Sequence, residues 1–373
     1  MTSGRPREKG SPGDEEAIET AVANLSDDEP ALDRGSRSQK AFAGASCSAC
    51  VSDPRDDALL TSVPEQERSF ARDHLDGARI ERRELSPELA REHAEVSILS
   101  PMIHDPVTVE TLEIFEDLDA IVTRSDGYDH LPSEWMRSND VQGFHLDDYA
   151  TESVAHHAMT FILASLRRVP EGMAMTLDED AGWDRSTLMN RHLQDATIGV
   201  LGTGKIGSRV VEILSTFGAR VRGHDIDPDS SLEQRPGFAY ADGLEDLLRD
   251  SDVLTVHVPL DETTEELIGE RELNKLPEGA VLVNTARGGI VDQQAVADAL
   301  GEEQLAGYAA DVLPGEPDPP DLELFSGHDR VMLTPHLAAY DERTTNARYE
   351  YTARVVDALL GDDEKTLRRF RVI

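Results

Sequence analysis

An arginine, a glutamate and a histidine stand at Arg287, Glu316 and His336, each just past a short apolar run that reads as a β-strand. Together the three side chains form a chemical set. A guanidinium forks onto a carboxylate and polarises a neighbouring ketone oxygen, which lysine does less well. An imidazole, whose ordinary pKa lies near neutrality, can give a proton to a developing alkoxide. A carboxylate on the far imidazole nitrogen fixes the tautomer and favours the charged form. This is equipment for reducing the ketone of a 2-oxo acid, provided that a hydride donor lies alongside. Taken singly, Glu316 reads equally well as surface charge in a Pro-rich acidic loop, and His336 as a strand-end cap.

The stretch 196–227 answers the proviso. An apolar strand (198–201) runs into Gly202-Thr-Gly-Lys-Ile-Gly207, an amphipathic helix (about 208–217) follows, and a second strand (220–223) ends at Asp225. Gly202 permits the tight turn, Gly204 lets backbone approach a pyrophosphate, and Gly207 lets the helix pack closely on the strand. The helix start offers free N–H groups and the positive end of its dipole to the anion. Asp225 stands where a carboxylate accepts from the adenosine ribose hydroxyls, and it would repel a 2′-phosphate. The unit therefore reads as a dinucleotide site selecting NAD over NADP, with Arg222 close enough to soften that choice.

These residues need a scaffold. Strands are expected at 58–63, 96–100, 120–123, 253–258, 280–284, 308–312 and 331–334. Helices are expected at 65–75, 107–115, 151–166, 244–249 and 293–300, with a looser stretch over 170–190. Such alternation implies α/β architecture with parallel sheets covered on both faces. In open parallel sheets ligands bind beyond the carboxyl ends of the strands, which is where Gly202, Asp225, Pro259, Arg287, Glu316 and His336 all fall. The turn 124–129 also follows a strand, and its amides near Asp126 and Gly127 can hold a substrate carboxylate. Adjacent His156 and His157 point in different directions on a helix, so they read as packing or surface residues.

Composition narrows the class. The 373 residues carry 74 Asp+Glu against 36 Lys+Arg, a formal net charge of −38. Concentrated salt screens such self-repulsion, so a salt-rich, halophilic cytoplasm is expected. The acidity argues against nucleic acid as a partner. Cys47 and Cys50 are the two cysteines, with no second pair or spaced histidine cluster beside them, so no metal site is expected. No apolar stretch approaches a membrane span of about 20 residues, and the chain reads as soluble and cytoplasmic. Residues 1–56, rich in Ser, Gly, Pro and acids, read as a disordered extension or as sequence upstream of the true start.

Six segments, in fixed order, resemble the D-isomer-specific 2-hydroxyacid dehydrogenases. They are Thr123-Arg-Ser-Asp-Gly-Tyr-Asp-His130, Ile198-Gly-Val-Leu-Gly-Thr-Gly-Lys-Ile-Gly207, His257-Val-Pro-Leu-Asp-Glu-Thr-Thr264, Val283-Asn-Thr-Ala-Arg-Gly-Gly-Ile-Val-Asp292, Ala310-Asp-Val-Leu-Pro-Gly-Glu-Pro317 and Leu333-Thr-Pro-His-Leu-Ala-Ala-Tyr340. The resemblance spans residue 57 to the C-terminus. It implies two doubly wound parallel-sheet domains with the active site in the cleft between them. The Rossmann NAD domain would be 150–337. A discontinuous, flavodoxin-like substrate domain would be 57–149 with 338–373, closed by a final helix over about 342–360. It implies Arg287, Glu316 and His336 as the catalytic residues, with carboxylate contacts at Asp126 and Gly127. Cofactor contacts would fall at Gly202, Gly204, Lys205, Ile206, Gly207, Asp225, Val258, Pro259, Thr264, Thr285, Ala286 and Asp311, the last near the carboxamide. A homodimer through the cofactor domain is also implied. Tyr340 resembles a substrate-side aromatic of the D-lactate dehydrogenase branch, so a small 2-oxo acid such as pyruvate is the expected substrate. Phosphoglycerate and glyoxylate or hydroxypyruvate reduction, or a non-catalytic NADH-sensing corepressor, are the alternatives. The chain departs from the family pattern at Ala155-His156-His157, commonly Ala-Glu-His, and at Asn190-Arg-His-Leu193.

Overall fold

The computed structural model describes residues 53–177, 183, 186, 188–316 and 319–373. The expectations for residues 1–52, including Cys47 and Cys50, lie outside them. The extension expected to reach residue 56 ends sooner, since Pro54–Asp57 forms a 3₁₀ turn and Arg55 pairs with Asp357 at 2.7 Å.

Two wholly parallel sheets make up the described chain. The first contains β1 (Ala58–Leu60), β2 (Arg79–Ile80), β3 (Ile98–Ser100), β4 (Ala120–Val122) and β5 (Gln142–Phe144), in the order β2-β1-β3-β4-β5. The second contains β6 (Thr197–Leu201), β7 (Arg220–His224), β8 (Phe238–Tyr240), β9 (Val253–Val256), β10 (Ala280–Asn284), β11 (Leu305–Ala310) and β12 (Val331–Leu333). Its order is β12-β11-β10-β9-β6-β7-β8. These are the two doubly wound orders, flavodoxin-like and Rossmann-like. The central strands are Val-, Ile-, Leu- and Ala-rich because helices bury both of their faces.

Helix α1 (Thr151–Leu166) leaves the first sheet and packs under the second through Ala155, Ala158, Met159 and Ile162. Helix α2 (Lys205–Thr216) buries Gly207, Val210, Val211 and Leu214, one helical stripe against the same core. It begins at Lys205, three residues before the expected start, with Gly204 as its N-cap. Helix α3 (Glu342–Leu360) is capped by the Asp341 carboxylate, which accepts from the Thr344 amide at 2.8 Å. It returns to the first sheet, where Tyr349, Val355, Val356 and Leu359 join the core of Leu60, Ile98, Val122 and Phe144. That contact also buries an ion pair, Arg348 to Glu67 at 3.3 Å, with the Tyr349 hydroxyl donating to Glu67 at 2.7 Å.

The stretch expected to be loose at 170–190 begins instead as a helix, Val169–Leu177. Pro170 sits in its first turn, where the missing N–H costs no hydrogen bond. Strand β11 starts and stops two to three residues earlier than expected, because the apolar run continues through buried Val312 after pairing has ended.

Candidate active site

The switch points of the two sheets lie between β1 and β3 and between β6 and β9. The loops leaving the carboxyl ends of their strands carry almost every expected site residue. Gly202 follows β6 with φ 87°, and a side chain there would collide with the backbone of His257 and Val258 after β9. Gly207 has its α-carbon against the Gly202 carbonyl and Val200, so helix and strand pack at a distance only glycine permits. Gly204 differs, because an added Cβ would meet nothing within 4 Å. The amides of Lys205, Ile206 and Gly207 donate to no acceptor among the described residues. Open space beneath free amides at a helix start suits a pyrophosphate. Thr285 offers a second fitting group: its hydroxyl is buried with no hydrogen-bond partner. The cofactor-side residues therefore fit a dinucleotide.

Other cofactor-side residues have partners within the protein. Asp225 accepts from the Thr203 amide at 2.5 Å and the Asp227 amide at 2.9 Å, which anchors it at the turn with oxygen lone pairs to spare. The Lys205 ammonium pairs with Asp147. The Thr264 hydroxyl closes its own turn, donating to the Pro259 carbonyl at 2.6 Å and accepting from the Asp261 amide at 2.8 Å. Val258 packs on the core of the second sheet. Asn284, fully buried, shapes the loop of Thr285, Ala286 and Arg287: its amide donates to the Arg287 carbonyl and its oxygen accepts from Ala286.

Asp311 anchors a polar knot. It is 1% exposed, and its carboxylate accepts from the Thr334 hydroxyl at 2.5 Å and the amides of Leu337 at 2.7 Å and Ala338 at 2.8 Å. Those donors flank His336, so Asp311 holds the histidine loop in place. His157 adds to the same knot: Nε2 lies 3.1 Å from the Thr334 hydroxyl and 3.5 Å from Asp311. It does more than pack, whereas exposed His156 pairs with Glu152 at 3.0 Å. The knot matters because His336 sits at φ 54°, a left-handed conformation uncommon for a residue other than glycine.

His336 Nδ1 lies 2.7 Å from Glu316 Oε2, and the other Glu316 oxygen accepts from the Leu313 amide at 2.8 Å. Burial works against the charge on Glu316. The hydrogen bond and charge of His336 outweigh it, with help from the Leu313 amide and His104, and hold the carboxyl below its usual range. Nε2 of His336 is then the nitrogen left to exchange a proton.

Arg287 reaches the other sheet. Its Nε donates to Asp129 at 3.3 Å, its Nη1 to the Ala286 carbonyl at 2.8 Å, and its remaining terminal nitrogen lies directly against Gly127, where any side chain would strike it. The amides of Asp126 and Gly127 donate to no acceptor among the described residues, while the turn is held by Ser125 on the Gly127 carbonyl at 2.6 Å and His145 on the Asp126 carbonyl at 2.7 Å. Two free amides beside a guanidinium make a carboxylate site. Burial raises the pKa of the Asp126 side chain, against the opposing pull of His145, Lys205 and Arg287. Tyr340, expected on the substrate side, is 46% exposed, and its side chain makes no hydrogen bond or ring contact with Arg287, Glu316 or His336.

Two residues had no signal in the sequence. Arg124 is fully buried and donates to the carbonyls of Ser100 at 2.6 Å and Thr61, tying the ends of β1, β3 and β4 together beneath the carboxylate turn. His104, on the loop after β3, faces His336 edge-on with ring centroids 5.3 Å apart. Burial, then the proximity of His336, lowers its pKa. Arg124 lies within the 123–130 segment, but nothing there marks it as buried, and His104 belongs to no motif; strand periodicity says nothing about what a loop reaches.

Residues 159–338 match the profile of the D-isomer specific 2-hydroxyacid dehydrogenase NAD binding domain. A glyoxylate reductase of Thermofilum pendens is 32% identical over 304 residues, 80% of this chain and 89% of the relative. A D-lactate/D-glycerate dehydrogenase of Pediococcus acidilactici is 30% identical over 236 residues, 60% of this chain and 70% of the relative. Among solved structures, the D-lactate dehydrogenase of Aquifex aeolicus, complexed with NAD and lactic acid, superposes with a TM-score of 0.77 at 29% identity, covering 84% of this chain and 98% of that one. With both sheet orders and the free-amide turns already in place, these likenesses have one reading: the chain belongs to the D-isomer specific 2-hydroxyacid dehydrogenases, NAD-dependent oxidoreductases.

Proposed function

We propose that the protein reduces a small 2-oxo acid of the pyruvate class to its D-2-hydroxy acid with NADH. The observation that carries this reading is the convergence of Arg287, reaching from the second sheet to the free amides of Asp126 and Gly127 on the first, with the 2.7 Å Glu316–His336 pair. The substrate carboxylate lies on those two amides under the Arg287 guanidinium. The ketone oxygen then falls between Arg287, which polarises it, and His336 Nε2, which protonates it as it becomes an alkoxide. Glu316 keeps the proton on Nδ1 and stabilises the imidazolium before transfer. Bound NAD supplies the hydride chemistry. In the oxidising direction His336 takes the hydroxyl proton instead.

Asp225 favours NAD over NADP, because its carboxylate is fixed at the end of β7 where a 2′-phosphate would meet it. The five-stranded half with α3 serves the substrate, and the seven-stranded half serves the cofactor. Val169, Met173, Leu177, Trp183 and Met189 leave apolar surface exposed beside α1, and this supports a homodimer joined on the cofactor side. Among the described residues no helix is long and apolar enough to cross a membrane. That is compatible with a cytoplasmic, salt-adapted enzyme, as the charge of −38 implies.

The test is a panel of pyruvate, glyoxylate, hydroxypyruvate and a branched 2-oxo acid, each with NADH and with NADPH at molar KCl. Highest kcat/KM with pyruvate and NADH is expected. Faster turnover of another panel member moves the substrate within the class, and silence toward all four removes the catalytic reading.

A further inference from the structure

We propose that His104, Glu316 and His336 form a Zn²⁺ site that spans the cleft and switches the enzyme off by occupying its acid–base group. One ligand atom from each residue lies within 4.8 Å of the other two. A tetrahedral zinc with ligands at ~2.0–2.2 Å separates them by roughly 3.3 Å, so closing the set requires an approach of at most about 1.5 Å. A side-chain rotation of His104 or a slight narrowing of the cleft is enough for that. His104 belongs to the loop after β3, whereas Glu316 and His336 follow β11 and β12, so the metal would join the two halves.

The loop that presents His104 is rigid for a reason unrelated to the reaction. The next residue, Asp105, is buried, and its carboxylate accepts four hydrogen bonds: from the Thr61 hydroxyl at 2.8 Å, the Ser62 hydroxyl at 2.7 Å, the Leu85 amide at 2.8 Å and the Met102 amide at 2.7 Å. His104 itself has no hydrogen-bond partner among the described residues, and its ring contact is with His336. Two imidazoles and one carboxylate, with a side open to solvent for water, make the donor set of a three-ligand zinc site. Magnesium and calcium ask for about six oxygens and find one residue of that kind here. Arg287, the fixed cation nearby, is turned toward Gly127 and Asp129. The second group of comparable spacing, Asp126, His145 and Asp147, already has cations on it, with Lys205 and Arg369 at Asp147. Zinc held by both Glu316 and His336 breaks the 2.7 Å pair between them, which disables the acid–base group, and fills the space of the ketone. Inhibition is therefore competitive with the 2-oxo acid and leaves the cofactor turn untouched.

The experiment uses the full chain in a Cys47→Ser/Cys50→Ser background, so that thiolates do not bind zinc. Calorimetric titration with ZnCl₂ and inhibition kinetics are run on this protein and on its His104→Ala and His104→Gln variants. The expected result is one Zn²⁺ per chain, with an inhibition constant raised at least 10-fold by either substitution relative to each variant's own zinc-free rate. A chelator should restore activity, and Mg²⁺ at the same concentration should do nothing. Equal zinc binding and inhibition in the His104 variants, or no binding in the parent, overturns the proposal. The inference rests on the assigned role of His336 for the inhibition alone. Zinc binding lost with His104 in a protein that turns over no 2-oxo acid would leave the site standing while removing the catalytic reading.

Discussion

At φ 54°, His336 holds a backbone conformation that costs a non-glycine residue about 1–3 kcal/mol. Asp311 compensates by gathering the Thr334 hydroxyl and the Leu337 and Ala338 amides around it. Replacing His336 by alanine removes the proton donor and leaves that scaffold in place. The expected outcome is a fall in kcat of roughly 10²–10⁴-fold, with NADH affinity by fluorescence titration within about threefold of the parent. Unchanged kcat would take the acid–base role away from it. A second prediction concerns buried histidines. Burial depresses His257 to about 4, and burial depresses His130 to about 4 against the opposing pull of Asp129, from an ordinary 6.5. The unfolded chain binds protons on both between pH 6.5 and 4 while the folded chain does not, so stability falls as pH is lowered through that window and levels off below it. His257→Gln should flatten the slope of urea midpoint against pH there, and an unaltered slope would clear His257 of the effect. The placement of Arg287, Glu316 and His336 beyond strand ends was legible because each follows a short apolar run. The anchoring that Asp311 gives the histidine loop was not legible, because a carboxylate bonded to backbone amides leaves no mark in residue spacing.

Thr151–Leu166, with its helical stripe, and Ala280–Asn284, an apolar strand, match their expected bounds, and Glu342–Leu360 matches the bounds that the family resemblance implied. Three of the four edge strands were not legible. Arg79–Ile80, Gln142–Phe144 and Phe238–Tyr240 have two or three residues each, too few for periodicity to register. Strand β9 ends at Val256, two residues short of the expected bound, although the His257 amide still donates to the Leu201 carbonyl at 2.7 Å and Val258 packs on the core. The glycine turn shows how one motif contains separable demands. Gly207→Ala drives a methyl into the Gly202 carbonyl and should cost about 1–3 kcal/mol of stability. Gly204→Val places its side chain in open space, so the melting temperature should barely move while the NADH Kd rises by at least about tenfold, a loss of roughly 1.4 kcal/mol. Measuring both quantities for both variants is decisive, since equal behaviour would mean that the two glycines answer one structural need.

For the whole molecule the dominant quantity is the net charge of −38. At 0.1 M salt charges are felt over ~10 Å, and at 1 M over ~3 Å, so the melting temperature should climb between those concentrations of KCl. A flat profile would refute salt adaptation. Both sheet orders follow from the alternation of strands and helices, but the meeting of the two halves does not. Contacts such as Arg287 to Gly127 or His104 to His336 join loops far apart in sequence, and no local pattern announces them. The return of α3 to the first sheet has a further consequence, in the order of synthesis. On a ribosome, β1 to β5 emerge first, yet Tyr349, Val355, Val356 and Leu359, which complete their core, are made almost last. The seven-stranded half has all its strands by residue 333 and can close while the earlier-made half still waits for its cover. A nascent chain stalled before residue 342 would thus hold a finished nucleotide fold attached to an unfinished neighbour, and the half that is translated first is the half that folds last.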